Sequence, residues 1–223
     1  MHVLVTSGGT REPVDDVRVL TNRSTGRLGA QLADALSEHG HQVTLLHGVG
    51  AAMPHGLAQC VEFETTEELS GLLDRHAPHA HAVFHAAAVA DYLPIREAGK
   101  LSSEAETMTL HLKRAPKLID RLRGLAQDAW IVGFKLTADA TEAQRVEAAQ
   151  ALRERAQLNW VLANDAAHLG DKDHEALLVG PEGIRERFAG KASIAAGLVQ
   201  ALSDDVGSLP RTDHAAGCGQ VLS

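Results

Sequence analysis

Two glycine-bearing segments near the start of the chain have the residue types of an anion-binding site. Gly8, Gly9 and Thr10 directly follow a short apolar run, where backbone N–H groups can approach a phosphate. Ser24 precedes a helical pattern whose free N–H groups and dipole favour negative charge. Three arginines lie between these segments: Arg11, Arg18 and Arg23. Because guanidinium groups add charge-assisted hydrogen bonds to anions, the spacing favours anion binding over the alternative of a plain turn, a capped helix and solvated arginines.

Three later segments carry side chains that could complete such a site. Ala87 and Ala88 precede Asp91 at a predicted strand end, where backbone can approach a ligand and the carboxylate can contact phosphate-bound metal or a hydroxyl. The alternative is that the alanines pack under a helix and the carboxylate caps a turn. Lys100, in a polar loop, can close over a triphosphate or is simply solvated. Phe134 can stack on a base or fill the core.

Three further features of the sequence could contribute to the site. A basic cluster at 113–117 stands at the start of a predicted helix, where cations oppose the dipole and a ligand-facing role is favoured. Asn164 ends a strand pattern and suits an amide or base edge, although Asn is also a common turn residue. His79, His81 and His85 have the even spacing of one strand face. The first two lie at the strand start, opposite the expected site, so a zinc site is disfavoured.

The elements that must position these residues alternate between strands and helices. Apolar runs predict strands at 2–7, 42–47, 61–64, 82–89, 107–112, 130–134 and 159–164, and a hairpin at 175–188. Helical spacing predicts helices at 29–37, 67–75, 116–125, 141–157 and 191–202. This alternation is typical of an α/β fold with a doubly wound, mostly parallel Rossmann-like sheet, here with a small antiparallel extension. In such sheets ligands bind at the carboxyl ends of the strands. We expect one folded unit over 1–205, with a loop at 91–106 and a disordered tail over 206–223.

Composition narrows the classes of function. The chain has 223 residues, with 21 Lys and Arg against 29 Asp and Glu, which gives a net charge of −8. An acidic chain with only 3% aromatic residues lacks the basic face and the stacking platform of a general nucleic-acid binder. Cys60 and Cys218 match no metal or redox spacing. No apolar run reaches the length of a membrane span, so we expect a cytoplasmic protein without nucleic-acid or membrane partners.

A nicotinamide cofactor is the main alternative for this fold. Its fingerprint is G-x-G-x-x-G in one tight turn, followed about 20 residues later by an acidic residue that binds the ribose. Here the glycine pairs at 8–9 and 26–29 lie far apart, and the second strand ends in His47 and Gly48. The pattern disfavours an NAD(P)-dependent reductase, which stays open as an alternative beside a non-catalytic nucleotide-binding protein.

Six motifs carry a resemblance to a known family. They are residues 5–15, 17–29, 87–92, 100–103, 132–135 and 163–165. Their residues and order resemble the standalone, CoaB-type phosphopantothenoylcysteine synthetases of the DNA/pantothenate metabolism flavoprotein family, over residues 1 to about 202. The resemblance implies ligation of 4′-phosphopantothenate to cysteine in coenzyme A biosynthesis, through an acyl-cytidylate formed from CTP (ATP in eukaryotic relatives) with release of pyrophosphate. It also implies Mg²⁺ and a homodimer. Since the chain begins at the synthetase segment, we expect no flavin.

The resemblance also implies roles for individual residues. Asn22 is expected to hold the substrate and the acyl-nucleotidylate, and Lys100 to be a mobile lysine that stabilises charge during activation. Arg18 is expected to bind the substrate phosphate from the neighbouring subunit. The pantothenate and nucleotide site is expected to be lined by Ala87, Ala88 and Asp91, the last also reaching metal through the triphosphate. The expected phosphate and base contacts are Gly8, Gly9, Thr10 and Ser24 for the phosphates and Phe134 for the base.

Two departures from the family pattern limit what the resemblance implies. Ser102 and Ser103 stand where many bacterial members have a second basic pair, as they do in standalone versions. The sequence at 113–117 replaces a more frequent basic-Asn-Pro-Asp pattern. The contacts of this basic cluster are therefore not implied by the resemblance.

Overall fold

The computed structural model describes residues 1–96, 99–102, 106–168 and 174–207. Its strands are β1 His2–Ser7, β2 Arg11–Pro13, β3 Val19–Thr21, β4 Gln42–Gly48, β5 Gln59–Phe63, β6 Ala82–His85, β7 Tyr92–Pro94, β8 Leu112–Arg114, β9 Trp130–Thr137, β10 Trp160–Asp165, β11 Glu175–Gly180 and β12 Gly183–Ala189. Its helices are α1 Arg27–Glu38, α2 Thr66–His76, α3 Leu118–Leu125, α4 Glu142–Arg155 and α5 Lys191–Gly207.

One eight-stranded sheet forms the centre of the fold, in the order β12-β11-β10-β9-β6-β1-β4-β5. Six neighbouring strands of this sheet run parallel: β10, β9, β6, β1, β4 and β5. The antiparallel hairpin β11–β12 is attached beside β10. From β1 the chain moves outward to β4 and β5, then crosses back to β6, β9 and β10. The direction of winding therefore reverses between β1 and β6, where doubly wound sheets bind ligands. The predicted fold class, including its antiparallel extension, is confirmed.

Both faces of the sheet are covered by helices, which explains the continuous apolar runs in the sequence. Val3 and Val5 of β1 pack in one core with residues of α1 and α5, whereas Leu4 packs in a second core with residues of α2, α3 and α4. Capping boxes on Thr65 and Thr141 begin α2 and α4 and satisfy the first free N–H groups of each helix. The carboxyl ends of the parallel strands are thereby held at one edge of a rigid scaffold.

Several predicted boundaries of strands and loops were wrong. These errors fall where short strands pair with residues that are distant in the sequence. The predicted strand 82–89 ends at His85, because the following residues leave the sheet and hydrogen-bond to the loop after β1 instead. The long loop at 8–24 contains the antiparallel hairpin β2–β3. The predicted loop at 91–106 contains β7, which pairs with β8, and β8 begins only where the predicted strand 107–112 ends. These ribbons have three residues a strand, too short for a periodic sequence signal.

The end of the chain also differs from the prediction. Helix α5 runs to Gly207, so the expected boundary at 205 falls within its last turn, and the remainder of the predicted tail lies outside the described residues. Ala195, Leu198 and Leu202 bury the inner face of α5 in the first core. Among the helices described, none is both long enough and apolar enough to cross a membrane.

Candidate functional site

A cleft of about 1230 Å³ opens where the winding of the sheet reverses. Its walls come from the carboxyl ends of β1, β6, β9 and β10, the residues before α1 and the start of α3. The predicted site residues that line it are Gly8, Gly9, Asn22, Ser24, Ala87, Ala88, Asp91 and Phe134. Three others, Thr10, Arg18 and Lys100, do not line it.

Close backbone packing fixes the wall formed by β1 and the start of α1. Gly8 and Gly26 have positive φ of 81° and 68°, and a Cβ on either would lie 2.8 or 2.7 Å from the Cβ of Ala51. A Cβ on Gly29 would lie 2.4 Å from Ser7 Oγ, which donates to the Gly26 carbonyl oxygen at 2.9 Å. The glycines therefore allow the first turn of α1 to sit against the end of β1.

Helix α1 begins without a side-chain cap. Its N-cap is Gly26, which has no side chain to accept from the first turn. The alternative that Ser24 or Thr25 caps the helix is thus wrong for this structure. Because Ser24, Arg27 and Gly29 line the cleft, the positive end of a twelve-residue helix faces it.

The end of β4 lacks the space for a ribose-binding carboxylate. A Cβ on Gly48 would lie 2.5 Å from the Gly9 carbonyl oxygen, so the backbones of the β1 and β4 ends are in direct contact. A dinucleotide-binding sheet places an acidic side chain near this strand end. The contact argues against the NAD(P)-dependent reductase.

Hydrogen bonds join Asn22 and the alanine-rich segment across the mouth of the cleft. Asn22 Nδ2 donates to the carbonyl oxygens of Val89 at 3.2 Å and Ala88 at 3.5 Å. The Ala88 N–H donates to the Gly8 carbonyl oxygen at 2.8 Å. This ladder brings three predicted site segments together, with the Asn22 side chain exposed at the cleft.

Thr10 has a different role from the predicted phosphate contact. It is fully buried, and its hydroxyl accepts from the Ala90 N–H at 3.1 Å and contacts the Thr66 hydroxyl at 3.3 Å. Its backbone N–H donates to the Ala88 carbonyl oxygen at 3.3 Å. The hydroxyl and the backbone N–H of Thr10 are therefore both bonded inside the protein. Thr10 holds the alanine-rich segment in place, and in this structure neither group is free to contact a phosphate.

Asp91 forms an ion pair with Lys117, a residue of the basic cluster whose contacts the family resemblance did not imply. Lys117 Nζ forms an ion pair with Asp91 Oδ1, and Lys117 lines the cleft. Lys113 and Arg114, on β8, are exposed and do not line it. The basic cluster therefore divides into one cleft residue and two residues of the β7–β8 ribbon.

The cleft is basic although the chain is acidic. Seven cationic side chains line it: Arg11, Arg23, Arg27, Lys117, Lys135, Arg155 and Lys191. Asp91 is the one carboxylate among the lining residues that the structure describes. Lys135, Arg155 and Lys191 come from β9, α4 and α5, and their convergence had no signal in the sequence. Such a surface attracts polyanions.

The carboxylates that line the cleft determine whether a magnesium ion could bind there. The described residues contain no group of three or more His, Cys, Asp or Glu side chains able to hold a metal ion. Mg²⁺ commonly binds through one or two carboxylates together with substrate phosphates. A single carboxylate such as Asp91, which is paired with Lys117, suits only an ion that arrives bound to phosphates.

The ends of β9 and β10 are braced by one carboxylate. Asp165 is buried and accepts from Thr137 Oγ1 at 2.7 Å and from the N–H groups of Asp139, Ala140 and Ala167 at 3.0–3.1 Å. The Thr137 hydroxyl and these N–H groups hold the pKa of Asp165 well below its ordinary range. The brace positions the half-buried Phe134 on β9, three residues before Thr137.

Arg18 lies at the tip of the β2–β3 hairpin, beside the segment that contains Lys100, and neither residue lines the cleft. Arg18 pairs with Asp15 at 3.3 Å and donates to the Leu101 carbonyl oxygen at 3.4 Å. The Leu101 N–H donates to Asp15 Oδ2 at 3.0 Å, which ties the Lys100 segment to the hairpin tip. One chain in this conformation does not bring these two predicted residues to the others.

His85 is a cleft residue that sequence reasoning considered only for zinc. It ends β6, is 6% exposed and lines the cleft, whereas His81 lies at the opposite edge beside the His2 N–H. Burial lowers the pKa of His85 to about 4. At neutral pH its imidazole is therefore uncharged, unlike the cations around it.

The chain is similar to one protein family over most of its length. The model of the family described as DNA/pantothenate metabolism flavoprotein C-terminal domain matches residues 1–205. Coenzyme A biosynthesis bifunctional protein CoaBC is 33% identical over 80% of this chain and 45% of its own length in Thermococcus kodakarensis. The same protein of Methanocaldococcus jannaschii is 30% identical over 89% of this chain and 49% of its own length. The chain thus spans about half the length of these curated relatives.

A solved structure matches over nearly its whole length. The crystal structure of the DNA/pantothenate metabolism flavoprotein from Streptococcus pneumoniae is similar with a TM-score of 0.87 at 28% sequence identity. The match covers 92% of this chain and 99% of that one.

Proposed function

This chain belongs to the DNA/pantothenate metabolism flavoprotein C-terminal domain family, and from that membership we infer that it is a phosphopantothenate–cysteine ligase of coenzyme A biosynthesis. Relatives that are 30% and 33% identical are named for coenzyme A biosynthesis. We place the reaction in the cytoplasm. In the proposed reaction a carboxylate oxygen of 4′-phosphopantothenate attacks the α-phosphorus of CTP, and pyrophosphate leaves. The amine of cysteine then attacks the acyl carbon, and CMP leaves.

One observation carries the proposal: seven cations and the N-terminus of α1 surround a cleft whose described lining residues include a single carboxylate. Both proposed substrates are polyanions, and the leaving group is pyrophosphate. Charge that develops on transferring phosphates is stabilised by such preorganised cations and N–H groups. A non-catalytic nucleotide-binding protein would need the same cations, so turnover is the property that separates the two.

The remaining predicted residues fit this reaction as follows. Gly8, Gly9 and Ser24 would hold phosphates beside the first turn of α1. Asn22 would orient the acyl group, because its amide stands at the cleft mouth. Asp91 would contact Mg²⁺ held by the triphosphate, and this ion would supply charge neutralisation at the leaving pyrophosphate. Phe134 would lie against the base.

The experiment is pyrophosphate release from purified protein with Mg²⁺, CTP and 4′-phosphopantothenate. We expect release that requires 4′-phosphopantothenate and is faster with CTP than with ATP. Asn22→Asp should lose at least about tenfold in rate with unchanged melting temperature. Lys100→Gln should lose rate likewise, since we propose that Lys100, although outside the cleft in this conformation, is the mobile lysine that stabilises charge during activation. Lys113→Gln, an exposed cation outside the cleft, is the matched control and should keep its rate. Saturable NADPH binding, or CTP binding without turnover, would instead support the alternatives.

We also propose that the protein acts as a homodimer through its two ribbons. Exposed apolar side chains lie on these ribbons and in the residues next to their strands: Val17, Val19, Leu20, Tyr92, Ile95, Met108, Leu110 and Leu112. Val17 is 64% exposed and Ile95 59%, an unusual state for apolar side chains grouped together. Arg18 lies among them and outside its own cleft, which fits a contribution to the partner's site.

Mixed dimers test this arrangement. Arg18→Ala and Asn22→Asp chains should each be inactive alone. Co-refolded together they should recover about a quarter of the wild-type rate, because half of the dimers are mixed and each mixed dimer keeps one intact site. Sedimentation of a monomer at micromolar concentration, or no recovery on mixing, would contradict the shared site.

A further inference from the structure

We infer that His85 is a ligand-binding residue, a neutral hydrogen-bond donor on the floor of the cleft whose tautomer is fixed by Thr6. The inference rests on the proposed function for its kinetic test, though not for its structural one. The ligand group it fits is an uncharged oxygen acceptor, such as an amide carbonyl or a hydroxyl, rather than a phosphate.

The first step is the geometry of the buried pair. Thr6 is fully buried on β1, in register with His85 on β6. Thr6 Oγ1 lies 3.0 Å from His85 Nδ1 and accepts from the Ala87 N–H at 3.1 Å. A buried hydroxyl proton needs an acceptor. Within the described residues His85 Nδ1 is the acceptor in reach, so Thr6 donates to Nδ1 and the imidazole proton resides on Nε2.

The second step is the direction of the donor. His85 Nε2 pairs with no group in the described part of the chain, yet it is not among the enclosed unpartnered atoms, and the residue lines the cleft. A nine-tenths buried imidazole therefore presents one N–H to whatever occupies this part of the cleft. This N–H needs an acceptor, which a ligand bound in the cleft would supply in place of solvent.

The third step is the chemistry of the surroundings. His85 is in register with Gly133 of β9, where a Cβ would lie 2.8 Å from Ile119 Cδ1 and 3.7 Å from Leu152 Cδ2, so the wall toward α3 and α4 is apolar here. The charged groups that these helices contribute to the cleft are Lys117 and Arg155. Phosphates would be bound by those cations and by the N-terminus of α1. An uncharged donor in an apolar recess selects an uncharged acceptor, because a charged one would lose its solvation there.

Two sources of such an acceptor exist in the proposed reaction: the amide and hydroxyl groups of the acid substrate, and the sugar or base of the nucleotide. The kinetic experiment separates them by measuring KM for each substrate in His85→Phe and His85→Gln. His85→Phe keeps the ring without the N–H and should raise KM for one substrate about five- to tenfold, the effect of losing a neutral hydrogen bond. His85→Gln keeps an N–H donor and should recover most of that loss.

Controls distinguish binding from a structural defect. His76→Gln replaces another histidine away from the cleft and should leave both KM values unchanged. A structural role for His85 would instead lower kcat and the melting temperature in His85→Phe and His85→Gln alike. Unchanged KM for both substrates in an active His85→Phe variant would overturn the inference while leaving the proposed function intact.

A spectroscopic arm needs no turnover. Histidine-labelled ¹⁵N spectra of the wild-type protein should show His85 protonated at Nε2, with no titration between about pH 5.5 and pH 8. The Nε2 signal should move on saturation with CTP or with 4′-phosphopantothenate. Thr6→Ser should keep this tautomer and Thr6→Val should lose it. An Nδ1-protonated ring, or an Nε2 signal that neither substrate moves, would also overturn the inference.

Discussion

The stability of the protein should fall as the pH drops from neutral, and His85 should account for a defined part of that fall. The folded state holds the pKa of His85 at about 4 because burial disfavours the charged ring. The unfolded chain has the ordinary value of about 6.5. The unfolded state therefore binds a proton more readily, and stability present above pH 6.5 is lost as the pH falls toward 4.

The magnitude follows from the difference of about 2.5 pKa units, each worth about 1.4 kcal/mol. The loss reaches about 3 kcal/mol by pH 4, of which about 2 kcal/mol is lost between pH 7.5 and pH 5. Burial also lowers the pKa values of His41 and His76, so the wild-type dependence is steeper than this part alone.

Urea unfolding at pH 7.5 and pH 5 measures this contribution. His85→Gln cannot titrate, so its loss between the two pH values should be about 2 kcal/mol smaller than that of the wild type. His111→Gln, at an exposed position, is the matched control and should keep the wild-type dependence. Equal losses in His85→Gln and the wild type would show that the folded ring titrates normally, which would refute the buried, neutral imidazole.

Three further predictions concern other parts of the fold. Lys117→Ala should raise KM for CTP about tenfold because a cleft cation is lost, whereas Lys113→Ala should not, as steady-state kinetics will show. Gly48→Ala should destabilise the protein by about 1–3 kcal/mol in urea unfolding, since its Cβ would lie 2.5 Å from the Gly9 carbonyl oxygen; wild-type stability would contradict the contact. Asp205→Ala should cost about 1–3 kcal/mol by the same assay, because the indole N–H groups of Trp130 and Trp160 donate to it at 3.0 and 2.7 Å; no loss would mean that water replaces it.

The parallel sheet and its helices could be predicted because each element carries its own periodic signal. Buried strands such as β1 and β4 are apolar runs, and α1 has leucines and alanines at helical spacing. The ribbons β2–β3 and β7–β8 could not, since pairing of three-residue strands is decided by tertiary contacts. The position of Arg18 at the hairpin tip, and the attachment of the Lys100 segment to that tip through Leu101, followed from that pairing and could not be predicted either.

The candidate site was predictable where its residues adjoin strand ends and hidden where they converge from separate elements. Glycines 8 and 9, Ala88 and Asp91 follow strand ends, so topology alone places them at one edge. Thr10 is adjacent in sequence yet turned inward, because its hydroxyl bonds the alanine-rich segment and α2. His85 could have been predicted as a site residue, because it is a polar residue at the end of a buried strand. The even spacing of the histidines instead directed attention to zinc.

The most direct measurement of the central claim is the identity of the products. Purified protein is incubated with Mg²⁺, CTP, 4′-phosphopantothenate and cysteine, and the mixture is quantified by mass spectrometry. The account predicts phosphopantothenoylcysteine and CMP in equal amounts, and acyl-cytidylate when cysteine is withheld. Formation of CDP, or of CMP without any cysteine adduct, by a folded protein would contradict it.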